Sequence, residues 1–142
     1  MKKEYWINVK HVDNRLVIFL NGETVFDSGI VHSNNQIDSY VNITDQLIRH
    51  INHSTELIFE GFNDSYDNTA GGLNPWHFSY RVFTRLVDGS GKVVTEMDMI
   101  SPYNEKHISN PNIRAINNCY QIHRKDGEFK VVSNSLTQNF YN

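Results

Sequence analysis

The chain has little of what would simplify its assignment. Cys119 is its only cysteine, so no internal disulfide is available and the fold does not depend on an oxidising compartment. Prolines number three. No Lys/Arg cluster occurs and the net charge is −3, which argues against a nucleic-acid-binding face. The longest apolar run, Leu16 to Leu20, is far too short to span a membrane as a helix. The basic opening Met1-Lys2-Lys3 is followed by Asn8, Lys10, His11 and Asp13 and not by an apolar core, so no secretory signal is read there. Cytoplasmic residence is the expectation.

Nucleotide and protease signatures are missing as well. There is no P-loop, dinucleotide fingerprint or metalloprotease helix. Gly89-Ser90-Gly91 is a turn, because no helical pattern follows to make a nucleophile elbow. Cys119 and His123 share one face of a strand but stand roughly 13 Å apart along it, beyond nucleophile–base reach. His50 and His53 form an H-x-x-H that no further ligand completes. No enzyme, cofactor or resident metal is expected.

What is present is β-rich. At 142 residues, 39% of them hydrophobic, the chain suits a single domain with a core of its own. Residues 5–12 alternate as a half-buried strand, and Asp13-Asn14 reads as a turn. Arg15 to Leu20 reads as a central strand, Asn21-Gly22 as a tight hairpin turn, and Thr24 to Phe26 as its partner. Residues 32–38 read as polar loop. Ser39 to Ile43 reads as a strand, followed by one helical turn, Gln46 to Arg49, capped by Thr44 or Asp45. A strand ends at Phe59. The alternation from His77 to Val87 is the longest strand pattern, and Asp88 to Gly91 turns it into Lys92 to Met99. Residues 101–114 read as a second polar connection. Ile116 to Arg124 and Glu128 to Ser133 flank Asp126-Gly127, with a loosely held tail from Leu136. The expected fold is all-β: a sandwich of two antiparallel sheets, eight or nine strands and one short helical turn, in one domain spanning residues 1–142.

Three stretches carry a resemblance. Val12 to Val25 resembles the D-x-x-x-V-x-L-N-G-x-x-V hairpin of galactose-binding-domain-like jelly rolls, such as the sugar-binding-like domains of family-two glycoside hydrolases. Tyr40 to Leu47 resembles their F-D-I-T-D-x-L strand and helical turn, and Glu56 to Glu60 the strand that follows. Together these cover about half the chain. They imply a jelly-roll sandwich and, for one branch of such folds, carbohydrate binding. Phe62-Asn63-Asp64 with its Asn- and Gly-rich continuation is loosely similar to the ligand loop of calcium-dependent bacterial galactose lectins. Asp64 matches an expected calcium ligand and Asn68 stands at a second, but Gly71 and Gly72 replace the Asn pair.

The stretch from Gly61 to Phe78 is too long and polar for a hairpin loop, and such loops are commonly functional. Its candidate ligand set is Asn63, Asp64, Asp67, Asn68, Asn74, Trp76 and His77. Asn and Asp suit paired sugar hydroxyls, and Trp suits the apolar face of the ring. The alternative is a cytoplasmic protein-binding protein, such as an immunity protein covering the active site of a basic toxin domain. Its contacts would be Tyr66, Tyr103, Asn104, Glu105 and His107.

Overall fold

A computed structural model describes residues 1–49, 54–63, 76–100, 104–110 and 113–140; for 32–36, 104–107, 139 and 140 it describes the backbone. Among these residues there are nine strands and one short helix. In order they are β1 (Lys2–Leu20), β2 (Glu23–Asp27), β3 (Val31–Asn42), α1 (Thr44–Arg49), β4 (Thr55–Phe62), β5 (Trp76–Val87), β6 (Val93–Asp98), β7 (Asn104–Ile108), β8 (Ile113–Lys125) and β9 (Glu128–Phe140). Every pairing is antiparallel.

The organising element is β1. Its first part pairs with β3 on one side and β5 on the other. Its last part, Arg15 to Leu20, pairs with β4, and Val17 to Leu20 also pair with β2. One strand thereby serves two layers. Sheet A is β3, β1 and β5, with β6 and β7 sharing the far side of β5; sheet B is β2, β1, β4, β8 and β9. The expected turn at Asp13-Asn14 is not formed: Asp13 pairs with His77 and Asn14 with Val31, so both residues lie within β1. Register shifts between Val9 and His11 and between Val12 and Asn14 accommodate the passage from one layer to the other.

Alternation supplies the core. Ile7, Val9, Leu16, Ile18, Leu57, Phe59, Phe78, Tyr80, Ile116 and Tyr120 all point between the layers. Each fully buried large side chain contributes about 1.5–3 kcal/mol by leaving water. Phe59 of sheet B stacks on Tyr80 of sheet A with ring centroids 3.6 Å apart. A polar knot sits beside them: the Tyr80 and Tyr120 hydroxyls are 2.6 Å apart, and the Asn118 amide donates to both. α1 closes one end. Leu47 is buried, and the Thr44 hydroxyl accepts the Tyr5 amide proton at 2.8 Å while donating to Asn42.

Three other polar stretches also fold differently from expectation. Residues 32–38 lie within β3, part of the 101–114 connection is β7, and the tail from Leu136 continues β9. None of them needs an apolar alternation, because each gains its backbone bonds from a neighbouring strand, β1, β5 or β8.

Candidate functional site

The 61–78 stretch is anchored at both ends. The Asn63 amide donates to the carbonyl of Arg114 at 2.9 Å, and the Trp76 indole N–H donates to the carbonyl of Ile113 at 3.2 Å. Two consecutive carbonyls at the start of β8 therefore hold the point where β4 ends and the point where β5 begins. Asn63 and Trp76 are each 3% exposed. Trp76 belongs to the core, with its ring 5.9 Å from that of Phe78, and offers no open face to a sugar. The expected stacking role at Trp76 is corrected on that ground. Asp64, Tyr66, Asp67, Asn68, Asn74 and Tyr103 lie outside the described residues, and with them the calcium candidates Asp64 and Asn68. So do His50 and His53.

The two stretches read as separate surfaces meet. β7 pairs with β5 so that His107 lies opposite His77, Glu105 opposite Ser79 and Asn104 opposite Tyr80. On the other side of β5, β1 places Asp13 opposite His77, His11 opposite Ser79 and Asn8 opposite Arg81. Phe78, Tyr80 and Val82 enter the core, so His77, Ser79, Arg81, Phe83 and Arg85 form the outer face of sheet A.

That face has two halves. In one, arginines lie over aromatic rings and are held by carboxylates. Arg81 sits 4.1 Å over Phe83 and pairs with Asp98 and Glu96; Arg85 sits 4.6 Å over Trp6 and bonds Glu96 at 2.9 Å. This lattice leaves Phe83 fully buried on an outer face. The other half carries few charges. The Asn8 amide donates to Asp38 Oδ1 and to the Ser39 carbonyl, both at 3.1 Å. His11 Nδ1 and Ser79 Oγ are 3.2 Å apart, and the His11 and His77 rings lie 6.2 Å apart. Tyr40, directly opposite Asn8 on β3, is 52% exposed. Its ring meets the edge of Phe83 with centroids 6.4 Å apart.

Tyr40, Asn8, Asp38, His11 and Ser79 were not singled out in the sequence. The available signal was the outward set of the first strand, Trp6 and Asn8, which an exposed face does not require to be aromatic or amide. Elsewhere, a cleft of about 280 Å³ opens between β6 and β9, lined by Met97, Met99, Phe129 and Val131 and bridged by the Lys3–Glu128 ion pair at 2.7 Å. Among the described residues no group of three His, Cys, Asp or Glu could hold a metal ion. Cys119 is half-buried, and burial beside Glu56 raises its thiol pKa, the opposite of an activated nucleophile.

No protein-family model matches the chain, and no curated protein is significantly similar to it. Among solved structures, one similar chain is the apo structure of Bacteroides uniformis beta-glucuronidase 3, at 7% identity and a TM-score of 0.27. The match covers 99% of this chain and 25% of that one. A likeness of this size says nothing about function.

Proposed function

We propose that this chain is a non-catalytic carbohydrate-binding module whose ligand rests on the outer face of sheet A. The observation that carries the reading is Tyr40, an exposed ring fixed beside the hydrogen-bonded Asn8–Asp38 and His11–Ser79 pairs on a rigid sheet. A tyrosine ring suits the C–H face of a pyranose, while the Asp38 carboxylate and the His11 imidazole suit its hydroxyls, held from beneath by the buried Asn8 and Ser79. Sites built on strands hold such groups more accurately than loops do. His77 borders this face at the start of β5.

A glycan array with and without calcium, followed by titration of any hit against Tyr40→Ala, tests the reading. Binding by the wild type and at least a tenfold loss in the variant, about 1.4 kcal/mol, are expected. A folded wild type that binds no glycan, or a Tyr40→Ala protein with unchanged affinity, overturns it.

A second reading, a protein partner, is favoured by the Arg81–Phe83–Arg85–Trp6 lattice, since arginine and aromatic side chains dominate interface hot spots. A net charge of −3 suits a basic partner, such as a toxin domain neutralised in the cytoplasm. Co-purification with the product of a neighbouring gene would support this second reading. Among the described residues, no helix is long and apolar enough to cross a membrane.

A further inference from the structure

The core is closed unevenly. At one end α1 lays Leu47 over it, and Leu47 is fully buried. Between β6 and β9 the two layers stay parted by the cleft of about 280 Å³. Its walls come from the inner faces of the sandwich. Met97 lies opposite Thr84, two residues on from Val82, so it stands on the core side of sheet A, yet it is 71% exposed. Phe129 and Val131 come from the core side of sheet B.

The floor is fixed and the wall is adaptable. Tyr5 meets the Phe129 ring edge-on, with centroids 5.2 Å apart, and its hydroxyl accepts the Phe129 amide proton at 3.3 Å. The opposite wall is Met97 and Met99. The chain has three methionines, so both of those beyond Met1 line this one cleft. Unbranched thioether side chains reshape around an apolar guest. The rim is charged but not balanced. Asp98 is held by Arg81, and Glu128 by Lys3 at 2.7 Å. Lys130 stands beside the same Glu128 and makes no ion pair of its own among the described residues. Two lysines thus share one carboxylate, and the rim keeps one uncompensated positive charge.

We propose that this cleft binds a small aliphatic monocarboxylate, with its carboxylate at Lys130 and its chain over Phe129 between the methionines. A single negative charge matches the single excess positive one. The volume falls just below the roughly 300–1,000 Å³ of pockets for drug-sized ligands, which suits a molecule of fragment size. This site lies apart from the outer face of sheet A and does not depend on glycan binding there.

Methionine-methyl NMR during a titration with sodium octanoate tests the proposal, because the three methyls report the cleft twice and a position outside it once. The Met97 and Met99 methyls should shift and saturate while that of Met1 stays in place. Lys130→Gln, made at an exposed position, should weaken binding at least about threefold, and Lys130→Arg should retain it. Octan-1-ol, with the same chain and no charge, should bind more weakly than octanoate to the wild type, a comparison that needs no variant. A wild type in which neither cleft methyl moves at millimolar octanoate overturns the proposal. So do three methyls that drift together without saturating, an unchanged affinity in Lys130→Gln, or octan-1-ol that binds as tightly as octanoate.

Discussion

The ring of Phe78 lies against the backbone of Gly61, so closely that a Cβ added there would stand 2.4 Å from Cε1. The contact joins β5 of sheet A to β4 of sheet B, at the point where both strands approach the stretch between Asn63 and Trp76. Glycine is required there by space, whatever its backbone angles. Gly61→Ala must displace a buried aromatic ring, and overpacking of this kind costs about 1–3 kcal/mol. Urea denaturation should show a lower midpoint at an unchanged slope.

Tyr80→Phe removes one oxygen from the core and leaves the Tyr120 hydroxyl and the Asn118 amide short of a partner. A loss of about 1–3 kcal/mol is expected on denaturation. Burial holds the Tyr80 phenol far above its ordinary pKa, so in the wild type this residue should not ionise until the protein unfolds at alkaline pH. Phenolate absorbance measured alongside circular dichroism checks the order of the two events.

Glu60 is half-buried on the outer face of sheet B, and desolvation raises its pKa above the ordinary carboxylate value of 4.5. Between those two values the folded state binds more proton than the unfolded chain. Stability therefore falls as pH rises from the ordinary value through the raised one. Glu60→Gln removes that loss. The variant should be more stable than the wild type at neutral pH, and the advantage should vanish near pH 4, where both forms are neutral. Thermal melts at several pH values check this.

Trp76→Phe and Tyr40→Ala should separate stability from binding. The first removes the indole bond to the Ile113 carbonyl and should cost about 0.5–1.5 kcal/mol on denaturation, with little change in glycan affinity. The second removes an exposed ring, leaving stability almost unchanged while affinity falls. Denaturation and ligand titration on both variants check the crossed pattern.

Much of the fold was legible wherever local chemistry and tertiary pairing agree. Asn21 and Gly22 adopt φ of 47° and 82°, and Asp126 and Gly127 adopt 53° and 76°, as tight hairpin turns demand. The alternation from His77 to Val87 is β5 almost residue for residue. Asp13 and Asn14 misled because their turn propensity is local, whereas His77 and Val31, which pair with them in the sheet, are distant in sequence. β3 and β7 were hidden because a strand bonded to a longer neighbour can be polar throughout. Of the site, His77 was legible as a polar residue beside a long connection, whereas the expected ligand role of Asn63 is corrected by its burial at 3% exposure, which a polar residue type does not reveal. Tyr40 was not, because its significance depends on standing opposite Asn8. Trp76 was read as a platform because sequence shows a tryptophan's chemistry but not which of its faces are already covered.

The double allegiance of β1 also bears on how the protein is made. This strand leaves the ribosome before any of its partners, yet Lys2 pairs with Val87 and Leu20 with Leu57. At synthesis rates of roughly 5–20 residues per second, a strand carrying Leu16 to Leu20 waits several seconds with its apolar side chains in water. Neither layer can be completed early, because each takes its second strand from the same segment. The chain is therefore expected to fold in one late step, and until Val87 has emerged its first twenty residues are the natural target of a holding chaperone.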